Sequence, residues 1–402
     1  MSVKDLLARI DAVSADIKNQ KEVLKQLQRD KSYLQRQLNN VHDLIARFPI
    51  EISSEIFLHC LPFGRFYGPQ SQVHTTPILL LNVCNTWSDI VMSTPELWSH
   101  IRTDFRNLQV RLGRTRNCTV SVYHAAGIEL DDHVAGVLGN YALQFKHLEL
   151  YSEQHSELPS AAGLFPSLET LSLRSSFDDR SVFDLGHILQ FLRLTPTLVE
   201  CILHSVLMNN ANSVDERVVL PNLTCLKFQE AADGIFCQDT LLRHLTLPRL
   251  QTLFVPFTMI SASEFLLWLT RSSPPLRKLV VGDGDSGFSF TEWLHLVPSL
   301  VYFELLPAEA HVVDELFTTL AEFHSLLPNL QSLRIHDNCS PPLQPAYPAL
   351  LQLLSNRRPT LVRFELRARA LPEPDLHVRK ELRQLARNGM EIYVGTHYQN
   401  FV

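Results

Sequence analysis

No C-x-x-C pair occurs anywhere in the 402 residues, and the seven cysteines are scattered, odd in number and mostly flanked by apolar residues. That pattern excludes a disulfide frame and a zinc-finger ligand set. Reduced, buried thiols in a cytoplasmic or nuclear protein are expected. No apolar run approaches the roughly 20 residues of a membrane span. The opening MSVKDLLARI runs straight into a charged amphipathic pattern, so neither a membrane segment nor a signal peptide is expected. The sequons at Asn117 and Asn222 then have no glycosylation enzymes to meet. Basic residues are in slight deficit, 36 Lys and Arg against 42 Asp and Glu, for a net charge of -6. Nonspecific nucleic-acid binding needs the opposite balance.

Catalytic patterns are missing as well. There is no phosphate-binding glycine loop, no H-E-x-x-H and no paired-acid site, and the 17 histidines show no metal spacing. GDGDSGF, from Gly282, fails as a calcium loop because Leu294 stands where the bidentate glutamate belongs. It fails as a serine nucleophile loop because Phe288 stands in place of the next glycine. Cys84, in an apolar helical stretch, reads as an inert buried thiol rather than a nucleophile. Neither an enzyme activity nor a cofactor is expected. What is present is apolar bulk, 45 % of the residues, enough for a substantial core.

Before Pro49 the chain has neither Gly nor Pro. With Val3 at heptad position a, the a residues are Val3, Ile10, Ile17, Leu24, Lys31, Leu38 and Ile45. The d residues are Leu6, Val13, Gln20, Leu27, Leu34 and Val41. Only Gln20 and Lys31 break the seam, which predicts a coiled-coil helix over residues 1–45. Asp16 at g and Lys21 at the following e would pair across a parallel homodimer. The other reading is a helix that folds back on its own domain.

RFPIEISSEIFLHCLP, residues 47–62, predicts a short helix with Ile52, Ile56, Phe57 and Cys60 on one stripe. A Gly- and Pro-rich loop follows. ILLLNVCNTWSDIVMS then predicts a second helix with Leu80, Val83, Cys84, Trp87, Ile90 and Val91 on one broad face. TPELW closes the segment with a turn that has Pro95 at its first position. In this order, Phe48-Pro49-x-Glu51-Ile52, Ile56-Phe57, Val83-Cys84-x-x-Trp87 and Leu97-Trp98 resemble the F-box, most closely the expanded F-box-like families of mushroom-forming fungi. The loop between Phe57 and Val83 is about a dozen residues longer than in a compact F-box. The resemblance implies docking on the Skp adaptor of a cullin-RING ubiquitin ligase. The contacts it implies are Pro49, Ile52, Ile56, Phe57, Val83 and Trp87. The alternative for several of them, Trp87 especially, is the core of the small domain itself.

Further on the chain repeats itself. L-x-x-L-x-L or a close variant begins at Phe145, Leu168, Leu198, Leu223, Leu250, Leu276, Leu300, Leu330 and Leu361, 23 to 31 residues apart and mostly just after a proline. Amphipathic stretches such as DLGHILQFL and VVDELFTTLAEF lie between them. CTVSVYHA, from Cys118, reads as an earlier, degenerate strand, and Gly389 stands where the last helix needs its C-cap. This is the leucine-rich-repeat signature of one strand and one helix per unit, irregular here because the usual asparagine appears only at Asn338.

The fold class expected is therefore α/β: a coiled-coil helix (1–45), a small helical F-box-like domain (46–104) and an irregular leucine-rich-repeat solenoid (105–402) of parallel strands with outer helices. Alternation points the leucines inward and sends their neighbours to the concave face. Tyr151, Arg174, Lys227, Phe254, Tyr302, Arg334, Arg363 and Arg367 are the candidate substrate contacts there, of the types that make binding hot spots. The alternative is an ordinary solvated sheet face. The expected function is the substrate-recognition subunit of a ligase, acting by proximity. A non-ligase scaffold using the same repeats is the second reading. The expected partners are the Skp adaptor, a protein substrate and a second copy through the coil, with no nucleic acid and no membrane.

Overall fold

The computed structural model describes residues 3–41, 43–61, 76–102, 108–116, 118–123, 132–152, 165–175, 182–204, 206–209, 217–229, 239–255, 262–282, 290–306, 310–337, 345–358 and 360–402. The chain is a mixed α/β protein with a long N-terminal helix and a large parallel sheet that does not close into a barrel. It divides into two compact units, Met1–Val120 and Ser121–Val402. The loop that follows the first predicted F-box helix, the Asp283-containing loop and Asn338 lie outside the described residues.

In the first unit, α1 (Val3–Val41) is a single helix of 39 residues, about 58 Å long at about 1.5 Å per residue. α2 (Ile50–His59) starts after Pro49, whose extended backbone sets the entry. The predicted second helix is two. α3 (Thr76–Leu81) stops, Cys84 is extended at φ -157°, and α4 (Asn85–Ser93) begins. The Asn82 amide donates to the Ile78 carbonyl at 2.8 Å, closing the last turn of α3. A 3-10 turn, Pro95–Trp98, follows with proline at its start, as its sequence predicts.

The core of this unit is Phe57, Leu61, Leu80, Ile90, Val91, Leu97 and Trp98, with Ile45, Leu58, Leu81 and Trp87 packed against it. Burial of this much apolar surface is what makes helices of about ten residues stable; alone in water they are marginal. The polar atoms inside are satisfied. Ser53 Oγ donates to the carbonyls of Ile45 and Pro49 at 3.2 and 3.3 Å, and Trp98 Nε1 donates to the Val91 carbonyl at 3.0 Å.

In the second unit each of the nine repeated motifs leads into or contains a strand, from Phe145–Ser152 to Arg363–Ala368, and Glu391–Thr396 follows as the last. Neighbouring strands pair in chain order, parallel throughout this run. Parallel neighbours need a crossover connection. Helices such as Leu185–Arg193, Ala262–Ser272, Ala310–Glu322, Tyr347–Asn356 and Leu376–Arg387 supply it.

The register explains the motif. Leu171, Cys201, Leu226, Leu253, Leu279, Phe303, Leu333 and Phe364 form one continuous row across the strands, each no more than 2 % exposed. Aromatic residues weld this row to the helices. The Trp293 ring meets Phe265 at 5.5 Å and Phe303 at 5.9 Å, both edge-on. At three of the motif prolines the next residue ties successive units together. Thr197 donates to the Pro166 carbonyl at 2.8 Å, Asn222 to Pro196 at 3.1 Å and Asn329 to Pro298 at 3.0 Å. Gly389, at φ +101°, ends the helix Leu376–Arg387 in the left-handed conformation its C-cap requires.

Candidate interaction surfaces

α2 presents two different faces. Ser53 and Phe57, four residues apart, turn into the core, and Phe57 is 1 % exposed with its ring 4.8 Å from that of Trp87. Ile52 and Ile56, one position earlier, turn outward at 50 % and 36 % exposure, continuing from Phe48 at 50 %. The predicted single stripe therefore splits. Ile52 and Ile56 belong to the surface and Cys60 is exposed, but Phe57 does not belong to a docking face. As the largest side chain on the inner side of α2, it fills the space between α2 and α4. Pro49 is exposed at the helix entry and Val83 is half-buried in the break before α4.

Trp87 is half-buried and held from below. Its Nε1 donates to Asp43 Oδ1 at 3.0 Å, and the same carboxylate oxygen accepts the Ile45 N–H at 2.9 Å. Cys84 Sγ lies 3.6 Å from Asp43 Oδ2, and burial, then the nearby Asp43 charge, push its thiol pKa up. A thiol so placed is a poor nucleophile. The break that exposes Val83 also serves α1. Asn39 Nδ2 donates to the freed Val83 carbonyl at 2.8 Å, Arg36 donates to Asn82 Oδ1 at 2.7 Å, and Thr86 donates to Asn40 Oδ1 at 3.1 Å. None of these α1 residues belongs to the heptad seam.

The second surface is the open face of the sheet, opposite the leucine rows. Arg334, Arg363 and Arg367 converge there around one carboxylate, with Tyr302 beside them on a second, Glu304. Glu365, 6 % exposed, has Arg367 at 2.9 Å, Arg334 at 3.5 Å, and Arg363 and His336 each at 3.9 Å. The register causes this, since Glu304, Arg334, Glu365 and Tyr393 lie side by side on consecutive strands. The Tyr302 hydroxyl donates to Glu304, and burial first, then that carboxylate, raises its pKa. Lys278 and Arg334 approach the Tyr302 ring face at 4.5 and 5.3 Å, and Arg367 lies 4.6 Å from the Tyr393 ring. Cations flanking aromatic faces at these distances are stabilised by the ring quadrupole.

The other candidates stand apart from this cluster. Arg174 pairs with Glu149 at 2.8 Å and Lys227 with Glu200 at 3.0 Å, each across one strand boundary. Phe254 is half-buried between Lys227 and Val280. Tyr151 occupies a strand position beside Arg174, and its side chain lies outside the described residues. Sequence reasoning did not single out Glu365 as the hub or Tyr393 as a member. The signal was a glutamate between two inward positions of Phe-Glu-Leu, repeated at Glu304 and Glu365.

Cys201 and Cys225 have thiols pushed up to about 12 and about 11, foremost by burial. Among the described residues no group of three or more His, Cys, Asp and Glu is placed to hold a metal ion, and no helix is long and apolar enough to cross a membrane. Compared with protein families and with curated proteins, the chain finds no match.

Proposed function

We propose that the chain is the substrate-recognition subunit of a Skp-cullin-F-box ubiquitin ligase, with α2 docking the Skp adaptor and the open face of the sheet receiving a protein substrate. The observation that carries this reading is the strip Phe48, Ile52 and Ile56. It runs at four-residue spacing from the segment just before α2 onto one side of that helix, with 36 to 50 % of each residue in solvent. An exposed apolar strip of that geometry suits a partner groove. It falls in the same residues that carry the F-box resemblance.

The nine motif strands with their helical crossovers support a leucine-rich-repeat solenoid. Its open face is rich in Tyr and Arg, the residue types that anchor protein interfaces. Such a subunit does no chemistry itself; it raises transfer rates by holding a substrate near a loaded enzyme. The burial of Phe57 favours a second reading, a non-ligase scaffold built on the same repeats, because it removes one of the expected adaptor contacts.

The test is co-purification of the full chain with the Skp adaptor, wild type against Ile52→Asp with Ile56→Asp. Both positions are exposed, so the double change leaves the core intact. Capture by the wild type and its loss in the double variant are expected. A folded wild-type chain that captures no adaptor sinks the ligase reading and leaves the scaffold.

A further inference from the structure

We infer that α1 pairs with α1 of a second copy of this chain as a parallel two-stranded coiled coil, with each copy's helical unit carried on the outside of its own helix. The inference is independent of the ligase reading.

The first argument is a bare seam. Every apolar a and d residue from Val3 to Val41 is at least 43 % exposed. A helix with this seam in water gains little from propensity; its stability comes from packing the apolar stripe. The seam itself meets none of the chain's described residues; only the opposite face of the last turns of α1 reaches the helical unit.

The second argument is which side the chain does use. Arg36, Asn39, Asn40 and Asp43 make the bonds to α4 and its preceding break. In the heptad frame these are positions f, b, c and f, the face opposite a and d. The seam ends where it should, because Ile45, the next a residue, turns into the core of the helical unit. The helical unit thus docks on the outer face and leaves the inner face open along α1.

The third argument is charge, which selects the occupant and its direction. In a parallel pair Asp16 at g meets the second copy's Lys21 at e, and no g–e' position opposes like charges. Lys31 at a packs beside the second copy's Asp30 at g, and Gln20 meets Gln20 in its own layer. A full-length antiparallel pair would set Asp16 against Asp30 and Lys21 against Lys21. It would also place Lys31 and Gln20 against apolar residues, in four layers rather than two. The sequence of α1 therefore complements itself in one direction only.

The test uses the full chain. Sedimentation at micromolar concentration is expected to give twice 45.9 kDa, and Leu24→Asp with Leu27→Asp to give the single-chain mass with the sheet's circular dichroism unchanged. Direction is read with Leu34→Cys, which in a parallel pair faces itself. It should cross-link under mild oxidation far above the wild-type background, and mixing it with Ile10→Cys should add nothing. Asp16→Lys should weaken the pair by about tenfold, and Asp16→Lys with Lys21→Asp should restore it. A monomeric wild type, a dimer that survives Leu24→Asp with Leu27→Asp, or cross-linking only in the Leu34→Cys and Ile10→Cys mixture would each overturn the proposal.

Discussion

Arg357 shows how a single residue can close the end of an element. It is 6 % exposed, and its guanidinium donates to the carbonyls of Leu320, Phe323 and Leu327 at distances of 3.0 to 3.4 Å. These are the carbonyls at and just past the C-terminus of the helix Ala310–Glu322, where the helix dipole favours a cation. Arg357→Met keeps the stem and removes every donor. A loss of about 2–3 kcal/mol in chemical denaturation is expected, since buried carbonyls are left without partners. A variant within 0.5 kcal/mol of wild type, roughly the range of an ordinary surface change, would refute the capping role. His204 makes a pH prediction at the same scale. Burial, and secondarily Arg174, lower its pKa from 6.5 to about 4. The unfolded chain then takes up the proton first. The contribution of neutral His204 is present above pH 6.5, is lost as pH falls toward 4, and changes no further below that. His204→Gln should flatten the pH dependence of stability across that window, measured as the difference from wild type at pH 7.5, 5.5 and 4.5.

Among the elements, the strands of the second unit were legible and the helices of the first only partly so. The motif L-x-x-L-x-L reports strand position because its first residue, such as Leu223 or Leu250, is buried in the turn and its last two flank an outward residue. Three side chains then mark one short segment. Helix faces carry no such redundancy. Ile52, Ile56 and Phe57 lie within a 140° sector, so apolarity alone could not say which of them meets the core. The break at Asn82–Cys84 was hidden because its cause is tertiary, in bonds from Arg36 and Asn39. The open-face cluster was hidden for a similar reason. Sequence puts Tyr302, Arg334, Arg363 and Arg367 on one face, but only the register gathers the three arginines on Glu365 and sets Tyr302 on Glu304 beside them. That carboxylate sits among three guanidiniums and an imidazole, all within 3.9 Å. Glu365→Gln leaves the three guanidiniums facing each other, and a loss of about 2 kcal/mol at low salt is expected, part of it recovered as added salt screens the repulsion. Equal losses at low and high salt would mean that packing, not charge, is what Glu365 supplies.

For the whole molecule, the three surfaces differ in what they cost when empty. The sheet's open face neutralises most of its charge internally, through Glu149, Glu200, Glu304 and Glu365, so it is stable without a partner. The strip of Phe48, Ile52 and Ile56, at the entry and outer side of α2, leaves three apolar residues in solvent, a modest exposure for any protein. The seam of α1 leaves ten, in one line of about 58 Å broken only at Gln20 and Lys31. It is the surface whose order should depend most on association, and association ties stability to concentration by mass action. Thermal unfolding followed at 222 nm should show a helix transition whose midpoint falls with each tenfold dilution. The transition of the aromatic core around Trp268 and Trp293, followed by near-ultraviolet dichroism, should stay fixed. Leu24→Asp with Leu27→Asp should abolish the first dependence and leave the second transition unmoved. Concentration dependence in both transitions would instead place an association site on the second unit, and absence of it in both would mean that α1 holds its helix alone.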